Sequence, residues 1–216
     1  MPYTIKEIFY SLQGEGAQSG RAVVFIRFAG CNLDCDFCDT DFVGTDGALG
    51  GRYPTASALA QAALSLWQGG QAPNGAGAAL PETSAAEIPQ RWAVLTGGEP
   101  LLQADEALVA ALHSQDFAVA LESNGTRPAL PGLDWVCISP KAGAPLVQLT
   151  GDELKLVYPQ AGAEPELYRH LAFRHFFLQP RHDAHLAENT RLAVQYCLAH
   201  PQWRLSLQAH KYIGIP

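Results

Sequence analysis

The sequence predicts an α/β fold, a partial (β/α)6-like barrel with short or missing helices, from three observations. Short apolar runs rich in β-branched residues recur along the chain and alternate with helical patterns, which is typical of βαβ units and a parallel sheet. About six such units are present, enough to curl a sheet into a partial barrel. Polar and glycine-rich motifs follow the runs and are expected to share one rim of the sheet, the rim where parallel α/β folds bind ligands.

The strands are predicted from short apolar runs bounded by turn residues. A first strand-like segment precedes Ser11, and the next run ends near Gly30. The predicted strands after the first are 22–28, 92–96, 117–122, 134–138, 153–158, 174–178 and 203–208.

The helices are predicted between these runs, at 55–67, 104–114, 164–171 and 186–200. The connections 123–133 and 139–152 are too short and too rich in glycine and proline for full crossover helices. A complete eightfold barrel is therefore not expected.

Composition indicates one domain over residues 1–216, because 48% of its 216 residues are hydrophobic and can form a sizeable core. The glycine-, alanine- and proline-rich segment 68–88 is predicted to be a surface loop. The net charge of -7 argues against nucleic-acid and membrane partners. No signal-peptide stretch is evident, and three of the five cysteines are crowded together, so a reducing cytoplasm is expected.

Three cysteines, Cys31, Cys35 and Cys38, lie within eight residues. Thiolates select iron–sulfur clusters, zinc or Cu(I) over hard cations. Structural zinc usually takes four protein ligands, and here a fourth is missing locally, since Cys137 and Cys197 lie in core-like strand and helix patterns. Three ligands instead fit a four-iron cluster with one iron open to a small molecule.

Other polar residues follow the predicted strands. Glycines in Thr96-Gly-Gly-Glu-Pro100 allow a ligand to approach the backbone, and the Glu99 carboxylate can accept from an ammonium group. Ser123 and Asn124 suit a ribose or a carboxylate, and Lys141 adds a cation. Asp39 and Thr40 indicate a hard oxygen site beside the cysteines. Each motif alone is also compatible with an ordinary turn.

The C-x3-C-x2-C spacing resembles that of the radical S-adenosylmethionine (SAM) enzymes, and nearly the whole chain resembles the 7-carboxy-7-deazaguanine synthase family of queuosine and 7-deazapurine biosynthesis. The likeness is carried by Glu7-Ile-Phe-Tyr-Ser-Leu-Gln-Gly-Glu-Gly16, Cys38-Asp-Thr-Asp-Phe42 and Thr96-Gly-Gly-Glu-Pro100. It continues through Glu153-Leu-Lys-Leu-Val157 and Gln208-Ala-His-Lys-Tyr-Ile-Gly-Ile-Pro216. The resemblance implies a barrel of the radical SAM type.

The resemblance also implies an activity: a lyase that converts 6-carboxy-5,6,7,8-tetrahydropterin to 7-carboxy-7-deazaguanine with release of ammonia, using SAM catalytically. The implied cofactors are a [4Fe-4S] cluster, SAM and Mg2+. The implied partners are the pterin substrate, an electron donor such as a flavodoxin and a second copy of the chain in a homodimer. No side chain is assigned as catalytic acid or base.

The site residues fall into three groups. The resemblance implies that Cys31, Cys35 and Cys38 hold the cluster and that Thr40 binds Mg2+. The substrate set is Leu12, Gln13, Gly14, Glu15, Arg27, Thr96 and the terminal carboxylate of Pro216. The SAM-binding set is Phe37, Cys38, Asp39, Gly98, Glu99, Ser123, Asn124, Ser139, Pro140, Lys141, Gln179, Pro180, Arg181 and His182.

Two other functions remain open at this point. A glycyl-radical-enzyme activase shares the cysteine spacing, but it does not account for the Gln-Gly-Glu-Gly element; removal of Pro216 should barely affect it. A non-catalytic zinc- or cluster-binding module is the other alternative, which metal analysis and an assay of SAM cleavage would distinguish.

Overall fold

The computed structural model describes residues 2–67 and 90–216, so the predicted surface loop at 68–88 lies outside the described residues. Within them, nine strands form one open mixed sheet. The strands are β1 (Tyr3–Leu12), β2 (Ala22–Phe28), β3 (Gly51–Tyr53), β4 (Arg91–Gly97), β5 (Phe117–Ser123), β6 (Trp135–Ile138), β7 (Thr150–Tyr158), β8 (Ala172–Pro180) and β9 (Trp203–Leu205).

The sheet order is β3-β1-β2-β4-β5-β6-β7-β8-β9. From β2 to β9 every neighbouring pair is parallel, as predicted. The prediction of a parallel sheet is wrong for the first two strands in this order, because β1 is antiparallel to both β2 and β3. The connection at residues 13–21 contains no crossover helix and is shorter than the dozen or so residues that a parallel connection needs.

This pairing changes where the motif after β1 lies. Leu12 pairs with Ala22 at the start of β2. Because the cysteines follow the end of β2, β1 ends on the side of the sheet where β2 begins, away from the cysteines. The expectation that all motifs share one rim is therefore wrong for residues 13–17, which we call the crossing segment. These residues instead meet inward-facing side chains of β5 and β7, as shown by contacts of Gln13 with Glu122 and of Ala17 with Glu153.

Four α-helices lie among the described residues: α1 (Ala56–Leu66), α2 (Glu106–His113), α3 (Leu186–Ala199) and α4 (Ala209–Ile213). The α1 and α2 helices begin at capping residues, Thr55 and Asp105, whose side chains accept backbone N–H groups. Both pack on the core of the amino-terminal strands, and α3 packs on that of β7 to β9. None of these helices is long and apolar enough to cross a membrane.

Two predicted elements are shorter than expected. The segment 164–171 forms only a 3₁₀ turn at Pro165–Leu167, and β8 begins directly after the segment, at Ala172. The predicted strand 203–208 ends at Leu205, since the next residue turns toward the crossing segment, where the Ser206 hydroxyl accepts from the Gly16 N–H. The short α4 helix was not predicted; Gly214, with φ of 68°, ends it in a left-handed conformation.

Candidate active site

One cavity of about 360 Å³ collects almost all the residues predicted to bind cofactor, metal or substrate. The strand ends, the crossing segment and the residues after β9 all line it. Only Glu99 and Pro140 of the predicted set do not. The members that do are Leu12, Gln13, Gly14, Glu15, Arg27, Cys31, Cys35, Phe37, Cys38, Asp39, Thr40, Thr96, Gly98, Ser123, Asn124, Ser139, Lys141, Gln179, Pro180, Arg181, His182 and Pro216.

Residues 31–40, which we call the cysteine loop, have no helix or strand and no fully buried residue. The Leu33 N–H points at Cys31 Sγ, 3.5 Å away, and the Cys38 N–H donates to the Cys35 carbonyl. Burial raises the pKa of the Cys35 thiol, while the nearby Lys141 ammonium opposes that rise. All three thiols face one cavity, so their donor set is available to a single soft metal group.

The glycines after β4 allow two loops to approach closely. A Cβ atom on Gly98 would overlap the carbonyl of Gly30, directly before the cysteine loop. The Glu99 N–H donates to that same carbonyl, at 3.0 Å. The Gly-Gly-Glu-Pro element therefore fixes the start of the cysteine loop against the sheet.

The Glu99 side chain lies behind the cavity wall and is completely buried. Its carboxylate accepts from the Ser123 hydroxyl and from the backbone N–H groups of Leu101 and Asn124, at 2.9–3.0 Å. Burial raises the pKa of Glu99, although these hydrogen bonds oppose the shift. The carboxylate thus orients the turn that carries Ser123 and Asn124.

The ends of β6 and β8 add cations to the wall. The Lys141 ammonium donates to the backbone carbonyl and to the hydroxyl of Ser139, and burial lowers the pKa of Lys141. The Arg181 guanidinium pairs with Asp183 at 2.6 Å. Two cationic side chains, one of them paired with a carboxylate, therefore line the cavity beside the cysteines in a chain of net negative charge.

Arg27 lies on the β2 side of the cavity. Its Nε donates to Glu7 at 2.8 Å, and its guanidinium lies 5.6 Å from the ring centroid of Phe9. The two contacts orient the guanidinium, which has five N–H donors and can bind a carboxylate in a bidentate manner.

The base of the cavity contains a charge cluster, formed by Glu15, Glu122 and the buried Lys155. The Lys155 ammonium lies 2.5 Å from Glu15 and 3.6 Å from Glu122. Burial alone lowers the pKa of Lys155, but the surrounding carboxylates outweigh it and raise the pKa well above its usual value. Sequence reasoning predicted a role only for Glu15 in this cluster.

Residues after β9 close over the cavity. Gly14 lies against the His210 ring, where any Cβ would overlap it, and the Gly14 carbonyl accepts from the Ala209 N–H. The Lys211 ammonium and the Gln208 amide both donate to Asp39, which connects this segment to the cysteine loop. The site residues that sequence reasoning missed are Gln208, His210, Lys211, Glu122 and Lys155. All but Glu122 lie in elements that carry the family resemblance, but no local spacing indicates that their side chains reach the cavity.

Comparisons with known proteins identify the family. A search against models of protein families finds no match. The chain is 56% identical to the 7-carboxy-7-deazaguanine synthase of Bordetella pertussis and 53% identical to that of Bradyrhizobium diazoefficiens, in each case over the whole of both chains. The chain belongs to the 7-carboxy-7-deazaguanine synthase family.

The fold is similar to that of a solved protein as well. The crystal structure of QueE from Escherichia coli matches with a TM-score of 0.71 at 28% identity, covering 97% of this chain and 95% of that one. The radical SAM partial barrel that the sequence predicted is therefore confirmed. The lyase classification is likewise confirmed by the synthase relatives.

The thiols of the cysteine loop fit an iron–sulfur cluster better than a single metal ion. Among residues 2–67 and 90–216, no three histidine, cysteine or carboxylate side chains converge on one ion position. A structural zinc ion needs four ligands at about 2.0–2.3 Å, whereas in an iron–sulfur cluster the cysteines bind different irons. Three separate thiols at one cavity therefore fit the radical SAM cluster of this family.

Proposed function

We propose that this protein is a 7-carboxy-7-deazaguanine synthase. It converts 6-carboxy-5,6,7,8-tetrahydropterin to 7-carboxy-7-deazaguanine with release of ammonia, in queuosine and 7-deazapurine biosynthesis. The observation that carries the proposal is one cavity that contains three cysteines together with the cationic and polar residues expected at a pterin site. Relatives named as this synthase, which the chain matches over the whole of both sequences, support it.

Cys31, Cys35 and Cys38 would hold a [4Fe-4S] cluster in this cavity. The cluster and SAM together would supply a 5′-deoxyadenosyl radical for hydrogen abstraction from the substrate. The protein orients the reactants and excludes water from them. The Leu33 N–H beside Cys31 Sγ would stabilise thiolate charge.

SAM would lie against the strand ends, between the cysteine loop and the turns after β4, β5, β6 and β8. Gly98 leaves its backbone accessible, and Asn124 is fixed by Glu99 and by Asn32, whose amide oxygen accepts from it at 3.0 Å. The remaining proposed contacts are Phe37, Cys38, Asp39, Ser123, Ser139, Pro140, Lys141, Gln179, Pro180, Arg181 and His182. For Glu99 we propose that it acts on SAM through Ser123 and Asn124.

The pterin would bind between β2 and the crossing segment. Arg27 would bind its carboxylate, and the Leu12, Gln13, Gly14 and Glu15 backbone would face the ring edge. Thr96, whose hydroxyl lies 3.5 Å from Glu122, would contact the same ring. The Pro216 carbonyl oxygen accepts from the Ser11 hydroxyl at 2.9 Å. The carboxylate of Pro216 would accept from the guanidine-like N–H groups of the pterin.

Further parts of the proposal concern Mg2+ and assembly. Thr40 would bind Mg2+ together with substrate oxygens and water, which is the kind of incomplete protein site that this ion accepts. One domain spanning 1–216, supported by a single continuous sheet, would form a homodimer in the cytoplasm. A reducing partner such as a flavodoxin would deliver the electron.

The test is an anaerobic assay. Reconstituted, reduced protein is mixed with SAM, Mg2+ and 6-carboxy-5,6,7,8-tetrahydropterin, and the products are measured by mass spectrometry. We expect 7-carboxy-7-deazaguanine without proportional consumption of SAM, and a lower rate when Mg2+ is omitted. Cleavage of SAM to 5′-deoxyadenosine without that product would overturn the proposed substrate.

A further inference from the structure

The Glu153-Leu-Lys-Leu-Val157 element is part of the family resemblance, but the proposed function does not use it. On β7 this element places the Lys155 side chain inward, with 6% of it exposed, and at the wall of the cavity. A buried ammonium group beneath a binding site is costly unless it is paired. The groups that pair with the Lys155 ammonium therefore indicate the role of its charge.

Both partners of Lys155 hold the same glutamine. The Gln13 amide donates from Nε2 to Glu122, at 2.9 Å, and accepts at Oε1 from the Glu15 N–H, at 3.1 Å. Lys155 contacts the carboxylates of both Glu15 and Glu122. Gln13 is consequently fixed at both ends by residues that share one ammonium group.

The charges make this arrangement depend on the lysine. Without Lys155, the carboxylates of Glu15 and Glu122 would remain near each other and near the buried Glu153, where they would repel or take up a proton. Either outcome changes the acceptor at Glu122 or moves Glu15, and Gln13 moves with them. Other contacts also hold the backbone here: the Gln13 N–H and carbonyl pair with Arg21 and Gly20, and the Gly14 carbonyl accepts from the Ala209 N–H. Among the described residues, however, the Gln13 side chain is held only by Glu122 and by the Glu15 N–H.

We propose that Lys155 is a positioning residue for substrate binding, which holds Glu15 and Glu122 so that Gln13 and Gly14 keep their places at the ring edge of the pterin. This inference rests on the proposed function, since the ring edge belongs to that substrate. Lys155 acts through its two partners and does not touch the reacting atoms.

The principal test is Lys155→Met, which keeps the length of the side chain and removes the charge. We expect KM for 6-carboxy-5,6,7,8-tetrahydropterin to rise about tenfold or more, with kcat within about threefold and the Kd for SAM unchanged. Lys155→Arg, which retains the cation, should recover most of the affinity. The control is Arg174→Met, which removes an exposed cation paired with Asp152 between β8 and β7 and should leave KM unchanged.

A second measurement needs no activity. Hydrogen–deuterium exchange of residues 13–17 in the apo protein should be faster in Lys155→Met than in wild type or Arg174→Met, because the crossing segment is released. If Lys155→Met fails to fold, Glu15→Gln/Lys155→Met removes both charges of the close pair, and the same two measurements are made on it.

The outcomes separate the two proposals. A wild-type protein that makes no 7-carboxy-7-deazaguanine would overturn the proposed function, while the exchange data would still test the positioning role. An active wild type with unchanged KM and exchange in the lysine variant would overturn only the positioning role. A fall in kcat at constant KM would also overturn it, since it would place Lys155 at the reacting atoms.

Discussion

The cysteine loop and the strands opposite it line the same cavity but are stabilised in different ways. In the loop no residue is fully buried, and few backbone hydrogen bonds hold it. The strand wall, by contrast, consists of side chains from β2, β4, β5 and β7, with Glu99 and Ser123 fixed behind them by buried hydrogen bonds. From this comparison we expect the strand wall to keep its structure without a bound group, and the loop to depend more on the group that it would bind.

The largest effect is expected at the cysteine loop. Cys35→Ser should reduce product formation below about one thousandth of wild type, since it removes a cluster ligand, and should lower iron content. The free energy of unfolding of the apo protein should change by less than about 1 kcal/mol, because the loop adds little to the core.

The matched control is Cys197→Ser on α3, where the thiol packs against the core of the carboxyl-terminal strands. This variant should retain its iron after anaerobic reconstitution. Equal loss of iron in Cys35→Ser and Cys197→Ser would contradict the specific dependence of iron binding on the cysteine loop.

The strand wall should show the opposite pattern. Glu99→Ala leaves the N–H groups of Leu101 and Asn124 without their acceptor, so the free energy of unfolding should fall by about 3 kcal/mol in urea denaturation. Iron binding should persist. Glu106→Ala, at an exposed position that begins α2, is the control and should change stability little. A stable Glu99→Ala variant would show that the wall depends on other contacts.

Arg27 tests the face of the strand wall that meets the substrate. Arg27→Gln should raise KM for the pterin about thirtyfold, because it removes a charge-assisted bidentate contact, while iron content and stability stay near wild type. Arg21→Gln removes an exposed guanidinium that stacks on Trp92 and should leave KM unchanged. Equal KM values for Arg27→Gln and wild type would place the substrate carboxylate elsewhere.

The smallest effect is a dependence of stability on pH. Burial raises the pKa of Glu99 above the value of 4.5 expected in the unfolded chain. Above pH 4.5 the folded state therefore binds more protons at this group than the unfolded state does. The contribution of this group to stability is therefore complete below 4.5 and is lost as pH rises through the folded pKa. Relative to Glu99→Gln, wild type should therefore lose stability between pH 4 and 7.

Urea denaturation at several pH values measures this difference. Glu106→Gln, compared with wild type in the same way, should show no such slope. A wild-type protein that instead gains stability over this range relative to Glu99→Gln would mean that the hydrogen bonds to Glu99 outweigh its burial.

The sequence predicted the parts of the molecule that local patterns encode. The parallel strands followed from apolar runs, and the cysteine loop followed from a spacing within eight residues. The antiparallel β1 was missed, because its pattern is the same in either direction and only the length of the connection at 13–21 distinguishes them. β3, at Gly51–Tyr53, is too short to leave a pattern.

The site was predicted incompletely for a related reason. Lys155 and Glu15 are 140 residues apart, and no local spacing indicates that a strand lysine meets a loop carboxylate. Glu99 was placed in the right turn, but which way its side chain points depends on the N–H groups that β5 and its turn supply. Such pairings appear only when the strands are assembled.

The crossing segment also has a consequence for how the chain folds. Its contacts join Glu15 to Gln208 across 193 residues, and Ser11 to Pro216 across 205. Contacts of such separation close large loops and form late. During synthesis the amino-terminal strands emerge first, but the buried Glu15 meets Lys155 only after β7 is made. We therefore expect the floor of the cavity to be completed in the last stage of folding, after the rest of the sheet.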